Sequence, residues 1–369
     1  MTQPLNGITV LDFTTLLPGP LAALMLAEAG ADVIKIERPG GEDMREGPPR
    51  WDGASINFGM LNRGKKSIQL DLKAKDAIAR LRPLIEKADV LIEQFRPGVM
   101  ERLGVGYDAI RKINPRIVYC SISGYGQKGP RSGEAGHDIN YIASTGLLAL
   151  SPGTQQSPTI PPALIADIAG GSFPAVMNIL LGLRQRDLTG EGSYIDIAMT
   201  DAMFTFTWHA LAMAAGGYGY PGPGEARLTG GSPRYQIYPT KDGKLVACGS
   251  LEPKFWASFL DAIGMTKDEV NEKDAEGAKA RIASRIREQT ADHWQPILAK
   301  ADCCATIVAS VEEALRDTQF ADRGLFEHQL KGPSGATTMA LPVPIAPGYR
   351  AKPGAVATAE LGADDKLLG

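Results

Sequence analysis

Two short segments of this chain combine residue types that can move protons: Gly136-His137-Asp138-Ile139-Asn140-Tyr141 and Ala166-Asp167-Ile168-Ala169-Gly170-Gly171. A neutral imidazole is a base near pH 7, and a carboxylate becomes one when burial raises its pKa. Small neighbours leave room for a ligand beside each. Placed on opposite sides of one carbon, His137 and Asp167 could remove a proton from one face and return it to the other. Each also has a plainer reading. A lone histidine is usually a satisfied buried residue, and Asp167 could cap the helix that follows, whose amides would oppose a raised pKa. His209, His293 and His328 lack such surroundings and read as structural.

The chain has 369 residues, long enough for two domains or one elaborated α/β domain. With 44% hydrophobic and 22% charged residues, it can bury a substantial core and stay dissolved. The net charge of −3 gives no support for a nucleic-acid binder. Local arginines and lysines can still attract an anionic ligand. Cys120, Cys248, Cys303 and Cys304 form no CxxC pair and no metal-ligand spacing. Adjacent Cys303-Cys304 reads as two small core residues, and the whole pattern suits a reducing cytoplasm. Met1-Thr2-Gln3-Pro4-Leu5 lacks the features of a signal peptide, and Leu367-Leu368-Gly369 is no peroxisomal address. No stretch is expected to span a bilayer.

Elements that must position these residues follow from periodicity. Residues 8–13 read as a buried strand, 21–29 as a helix stopped by Gly30, and 32–37 as a second strand, closing a right-handed β-α-β unit. A helix over 74–87 precedes strands at 90–95 and 117–122, so the pattern predicts a doubly wound parallel sheet. Glu37 ends a strand where a ribose-binding acid would sit. The first turn, Thr14-Thr15-Leu16-Leu17-Pro18-Gly19-Pro20, nevertheless lacks the GxGxxG that lets a backbone approach a pyrophosphate, so a dinucleotide site is not expected. A helical stretch follows Asp167 through Leu180, Leu181 and Leu183. The glycine- and proline-rich run 216–224 then breaks all periodicity. Strands at 235–238 and 245–248, joined at Lys241-Asp242-Gly243, form a hairpin, and helices follow to about Asp317. Trp208, Met199, Met203 and Met213 fall near helical spacing and read as core more readily than as an adaptable acyl pocket.

Several motifs in order carry a family resemblance. They are Gly30-Ala31-Asp32-Val33-Ile34-Lys35-Ile36-Glu37-Arg38-Pro39, Leu70-Asp71-Leu72-Lys73, Phe95-Arg96-Pro97-Gly98, Glu101-Arg102-Leu103-Gly104 and Gly124-Tyr125-Gly126-Gln127-Lys128-Gly129-Pro130. The two segments around His137 and Asp167 and the run Gly249-Ser250-Leu251-Glu252-Pro253 complete the set. With these the chain resembles the class III CoA-transferase (CaiB/BaiF) superfamily, and within it the α-methylacyl-CoA racemases. The resemblance implies a Rossmann-like large domain over 1–195, a linker helix and Gly/Pro loop over 196–230, a small α+β domain over 231–325, and a return to the large domain over 326–369.

It also implies an acyl-CoA substrate, no cofactor beyond the CoA that the substrate carries, and no nucleic-acid or membrane partner. An interlocked homodimer completes the expectation. Guanidinium groups bind phosphate bidentately and stack on adenine, which suits CoA. Arg38 and Arg96 are therefore expected to contact it, with Lys73 and Arg102 close behind, although any one of them alone would read as a solvated cation. Family contacts map also onto Leu70, Gln94, Phe95, Gly136, Asp138 and Tyr141. Asp138, beside His137 and pointing elsewhere, has a structural role by its own chemistry. Lys65-Lys66 either adds positive potential or is a solvated loop. The resemblance makes His137 and Asp167 catalytic and gives Glu252 the task of holding the imidazole. The reading this favours is epimerisation of a 2-methylacyl-CoA through an enolate. Two alternatives stand beside it: a CoA-transferase with Asp167 as nucleophile, and a non-catalytic acyl-CoA-binding protein.

Overall fold

Short apolar runs alternating with helices become one parallel sheet. The computed structural model describes residues 3–369; Met1 and Thr2, which open the segment expected to hold no signal peptide, lie outside the described residues. In chain order the elements are β1 (Thr9–Asp12), α1 (Pro18–Glu28), β2 (Asp32–Glu37), β3 (Lys66–Gln69), α2 (Ala77–Ile85), β4 (Val90–Glu93), β5 (Val118–Ser123), α3 (Asp138–Ser144), α4 (Phe173–Thr189) and β6 (Ser193–Ala198). The strands lie in the order β3-β2-β1-β4-β5-β6, every pair parallel. This is the doubly wound order, with its reversal between β1 and β4, where such sheets open a crevice beyond their carboxyl ends. Every residue of β4 and β5 is buried, as a sheet covered on both faces requires. Leu11, Ile34, Ile68, Leu91 and Tyr119 belong to one core cluster of this sheet.

Strands β3 and β6 were not anticipated. Lys66-Ser67-Ile68-Gln69 is short and half polar, and β6 alternates instead of running apolar, so neither looks like the buried strands beside it. Helix α1 starts at Pro18, earlier than the expected Leu21, because proline suits a first helical turn in which its missing N–H has no partner to lose. Helix α2 is shorter at both ends than the expected 74–87.

Beneath the carboxyl end of β1 lies a group of buried charges. Lys65 is 4% exposed, and its Nζ donates to Asp12 Oδ2 at 2.9 Å, Asn62 Oδ1 at 2.8 Å and the Pro20 carbonyl at 3.0 Å. The solvated-loop reading of Lys65 is thus overturned: the chain threads it under the sheet to meet Asp12. Lys66 does reach the surface, where it pairs with Asp32. Lys35, also buried, donates to the Thr14 carbonyl at 2.7 Å and lies 3.6 Å from Glu42. Burial alone would raise Asp12, but Lys65 and Lys35 outweigh it and hold the carboxyl at about 2. Burial brings Lys65 down to about 8 against the pull of Asp12, so both remain charged at pH 7.

The chain divides into two compact units. The first runs through Thr145 and takes in Pro162–Thr205 and Ala321–Gly369; the second comprises Gly146–Pro161 and Phe206–Phe320. The divisions drawn from the sequence differ from these: residues 146–161 leave the large unit, and 196–205 stay in it. In the first unit, Gln329–Lys331, Thr337–Met339 and Ala355–Ala357 form a further small sheet. The second unit holds β7 (Tyr235–Pro239), β8 (Leu245–Gly249), α5 (Pro253–Ala262), α6 (Ala275–Arg287), α7 (Ala291–Ala301) and β9 (Ala305–Ile307). Its strands pair antiparallel in the order β9-β8-β7, over a core that includes Trp256, Phe259, Ile282 and Trp294. Cys303 is buried and Cys304 exposed, so only one of that pair is a core residue.

Residues 166–189 wind continuously, and this segment of 24 residues is apolar and long enough to cross a membrane by length and composition, against the expectation that no stretch would be. The helical stretch expected beyond Asp167 is there, and the structure winds it from Ala166 through Gly170-Gly171 to Thr189. Phe173, Met177, Leu181 and Leu188 stand exposed along it, while Ala175, Ile179 and Leu183 face inward.

Candidate active site

His137 takes the N-cap position of α3 with extended backbone, φ −122° and ψ 175°, and its backbone N–H donates to Asn140 Oδ1 at 3.0 Å. Its side chain is exposed. Asp138, one residue on, turns inward, is buried, and accepts the backbone N–H of Asp167 on Oδ1 at 2.9 Å. That bond fastens the segment carrying Asp167 to the first turn of α3. The structural role argued for Asp138 matches this bond, and a direct ligand contact from so buried a side chain does not.

Asp167 does not cap its helix. The N-cap is Ile165, and Asp167 sits in the first turn of a π-helical segment, Ala166–Ser172, that leads into α4. Such wide turns are uncommon and recur at functional sites. Glycine permits this one: a methyl group on Gly170 would stand 2.6 Å from the Met199 carbonyl oxygen and 2.8 Å from Met203 Cε. Ser172 anchors its far end by donating to the Pro18 carbonyl at 2.7 Å. Burial raises Asp167 to about 6; the Asp138 carboxylate pushes the same way and His137 opposes. The three groups therefore share one electrostatic neighbourhood.

A raised carboxyl has a consequence for stability. The folded state holds a proton on Asp167 that the unfolded chain releases near 3.8, so the contribution of this group is lost as pH climbs from about 4 to about 6. Asp167→Asn, of equal size and uncharged, should melt higher than the parent at pH 8 and by a smaller margin at pH 4. Calorimetric melting at both pH values checks this, and an equal margin at both would contradict it.

Tyr141 links the pair to the sheet edge. Its ring fills the space beside Gly124, where a Cβ would come within 2.4 Å, and its hydroxyl donates to the Gly136 carbonyl at 2.6 Å. Tyr125 meets it edge-on with centroids 5.4 Å apart. Burial, then the Asp167 carboxylate, raise Tyr141 to about 12, while Arg96 draws it down. Arg96 is thereby placed in the neighbourhood of the pair.

Beyond the carboxyl ends of the strands opens a cavity of about 360 Å³, lined by Phe13–Leu16 after β1, Arg38 after β2, Leu70–Lys73 after β3, and Phe95 after β4. Leu70, 2% exposed, and half-buried Phe95 give it an apolar wall; its cations are exposed Lys73 and Arg38 and buried Lys35, and Glu37, Glu42, Asp43 and Asp71 line it as well. Arg38 is already engaged: Nε donates to the Gly41 carbonyl at 2.8 Å and the guanidinium pairs with Asp43. Of the expected contacts, Gln94, Arg96, Arg102, Gly136, Asp138 and Tyr141 lie outside this lining. Gln94 spends its carbonyl oxygen on the Gly19 N–H at 2.9 Å, at the start of α1. Arg102 closes the helix Val99–Arg102 instead of opening one, and it is exposed outside the cavity lining, as Arg96 is. Thr14, Leu16, Leu72 and Leu103 line the cavity without having been singled out, since nothing in a threonine or leucine marks it before the sheet is assembled.

Glu252 belongs to the second unit, where it is the exposed N-cap of α5 without a side-chain cap bond. Its backbone is well held: Arg227 and Arg234 both donate to the adjacent Leu251 carbonyl, at 2.9 and 3.1 Å. Met199 and Met203 are buried, as core residues should be, but Trp208 is 60% exposed and is no core residue.

The whole arrangement has parallels in known proteins. The family model described as CoA-transferase family III matches residues 5–364. The chain is 35% identical over 360 residues to alpha-methylacyl-CoA racemase of Homo sapiens, covering 95% of this chain and 90% of that one. It is 34% identical to acetyl-CoA:oxalate CoA-transferase of Acetobacter aceti, over 87% of this chain and 85% of the relative. The crystal structure of a CAIB/BAIF family protein from Brucella suis superposes with a TM-score of 0.82 at 27% identity, covering 99% of this chain and 98% of that one. A parallel sheet with its cavity at the carboxyl edge, matched from end to end by these relatives, makes the chain an enzyme of CoA-transferase family III.

Proposed function

We propose that this enzyme interconverts the epimers of 2-methylacyl-CoA thioesters by moving the α-proton between His137 and Asp167. The observation that carries the reading is the pair itself. An exposed imidazole lies within electrostatic reach of a half-buried carboxylate raised to about 6, which is basic enough to accept a proton and acidic enough to return it. One base takes the proton from the α-carbon, its electron pair moves onto the thioester oxygen as an enolate, and the conjugate acid of the other base reprotonates the opposite face. The charge that develops on the enolate oxygen needs hydrogen-bond donors beside it. The substrate's CoA would lie along the cavity at the sheet edge, with its phosphates towards Arg96, Arg38 and Lys73 and its adenine against Leu70 and Phe95. The test is exchange of the α-proton of either epimer with solvent deuterium, coupled to interconversion.

A second reading is favoured by the transferase relative, which is as similar as the racemase. In it, Asp167 attacks the thioester carbonyl and expels CoA as thiolate, leaving an acyl-aspartyl anhydride; the thiolate returns to the aspartyl carbonyl and releases the donor acid. The acceptor carboxylate then displaces CoA from the aspartyl thioester to form a second anhydride, whose acceptor carbonyl the thiolate attacks to free Asp167. That chemistry leaves His137 without a task.

The ligand site makes its own prediction. Arg96→Ala should weaken CoA binding by roughly 1.5–3 kcal/mol, the range for a charged hydrogen bond. Arg38→Ala should cost less, because Arg38 must first leave Asp43. Both losses should shrink at high salt. Titration calorimetry with CoA measures this, and unchanged affinity in folded Arg96→Ala would remove that residue from the site.

A further inference from the structure

We propose that Glu93 is a positioning residue that holds the candidate CoA-binding turn and the loop beside the catalytic pair in one register, through Ser121 and Gln127. The proposal rests on the reading of residues 94–96 as part of the CoA site. Glu93 ends β4, is 4% exposed, and takes no part in the proton transfer described above. Its Oε2 accepts the backbone N–H of Phe95 at 2.7 Å, which fixes the turn into Phe95-Arg96. On its other side lies Ser121, its register partner on β5 and a fully buried residue, whose hydroxyl favours the charged carboxylate. Ser121 Oγ in turn accepts Gln127 Nε2 at 2.6 Å. The backbone N–H of Gln127 is bonded to both oxygens of Asp196, at 3.1 and 3.0 Å. This places the loop that carries Tyr125 against Tyr141. One buried carboxylate thus reaches the turn of Arg96 in one direction and the Tyr125–Tyr141 contact in the other.

The surroundings disfavour a charge on this carboxylate. Burial is the chief cause that raises it to about 7; bonds from Ser121 and Phe95 oppose that, and Glu101 and Asp196 add like charge. A structural core would be better served there by an apolar side chain. A buried acid under a ligand turn, with its oxygens shared between two loops, is what positioning requires.

The experiment compares Glu93→Leu with Glu93→Gln in the full-length enzyme, using CoA itself as the probe. Leucine fills the space and removes both acceptors, whereas glutamine keeps an acceptor for the Phe95 N–H. Glu93→Leu should fold, bind CoA about tenfold more weakly, and exchange the amide hydrogens of Phe95 and Gln127 faster. Glu93→Gln should restore the affinity to within about twofold of the parent and restore protection at both amides. Faster exchange at Phe95 alone would overturn the coupling between the loops. Equal CoA affinity in parent and Glu93→Leu would overturn the positioning role. If the parent binds no CoA, the reading of the ligand site has failed instead, and the exchange of the two amides still decides whether Glu93 couples the loops.

Discussion

His137→Ala and Asp167→Ala should each lose the interconversion of 2-methylacyl-CoA epimers by ~10²–10⁴-fold, the usual worth of a positioned acid or base. The losses should be similar because a two-base path needs both faces of the carbon. Each variant keeps one base, and that base can still remove and return a proton on its own side, so one epimer should wash its α-proton into deuterated water with retention. Losing exchange at one epimer only, and a different epimer in each variant, is a pattern that no structural defect imitates. In the parent the two bases must hold a single proton between them. The rate should therefore fall in acid, as Asp167 takes up a proton below about 6. Forward and reverse reactions should share this limb, because their starting states differ only in which base holds the proton. A transferase would behave differently. Asp167→Ala would abolish acyl exchange, His137→Ala would matter little, and hydroxylamine would trap an anhydride at Asp167. That outcome, without α-proton exchange from either epimer, would sink the epimerase reading.

Lys65→Met should destabilise the fold by ~3–5 kcal/mol, the cost of leaving a buried charge without its partner. Asp12 is wholly buried, and Lys65 with Lys35 keeps it ionised; once Lys65 is gone, the remaining cation is also committed to Glu42 and the Thr14 carbonyl. Removing both members as Asp12→Leu with Lys65→Met should recover part of the loss, since no buried charge of the pair is then left alone, although Thr14, which donates its N–H and hydroxyl to Asp12, loses its acceptor. The depressed Asp12 also gives a pH signature. Its contribution is fully present above about pH 4 and lost as pH falls through about 2, so the gap between the parent and the double variant should change in that acid range. It should change again above about pH 8, where folded Lys65 loses its proton before the unfolded chain does. Urea unfolding at several pH values measures both effects. A single variant as stable as the parent at pH 7 would show that Lys65 and Asp12 do not depend on one another.

The doubly wound sheet could be read from the chain because its central strands announce themselves. Residues 90–93 and 118–123 are runs that only a sheet covered on both faces would bury, and Gly30 marks where the first helix must stop. His137 and Asp167 were legible for a different reason: few side chains can exchange protons near neutral pH, and both sit among small residues. The edge strands Lys66–Gln69 and Ser193–Ala198 were not legible, since a short strand that alternates or carries charge looks like a loop until a neighbour pairs with it.

What the chain determined by itself is therefore its fold class and its reactive residue types, because these depend on local periodicity and on chemistry that each residue carries alone; its family was legible through the resemblance of its ordered motifs. Tertiary structure decided everything that depends on which groups share a neighbourhood. Lys65 passed for a solvated cation until the fold buried it against Asp12. Glu93 was one more strand-end acid until Ser121 and the Phe95 amide closed on it. Asp167 acquired a carboxyl raised to about 6 only when the π-turn half-buried it and set the Asp138 carboxylate beside it. Charge, unlike hydrophobic periodicity, acquires its energy from its surroundings, and those surroundings come from residues far away in the chain.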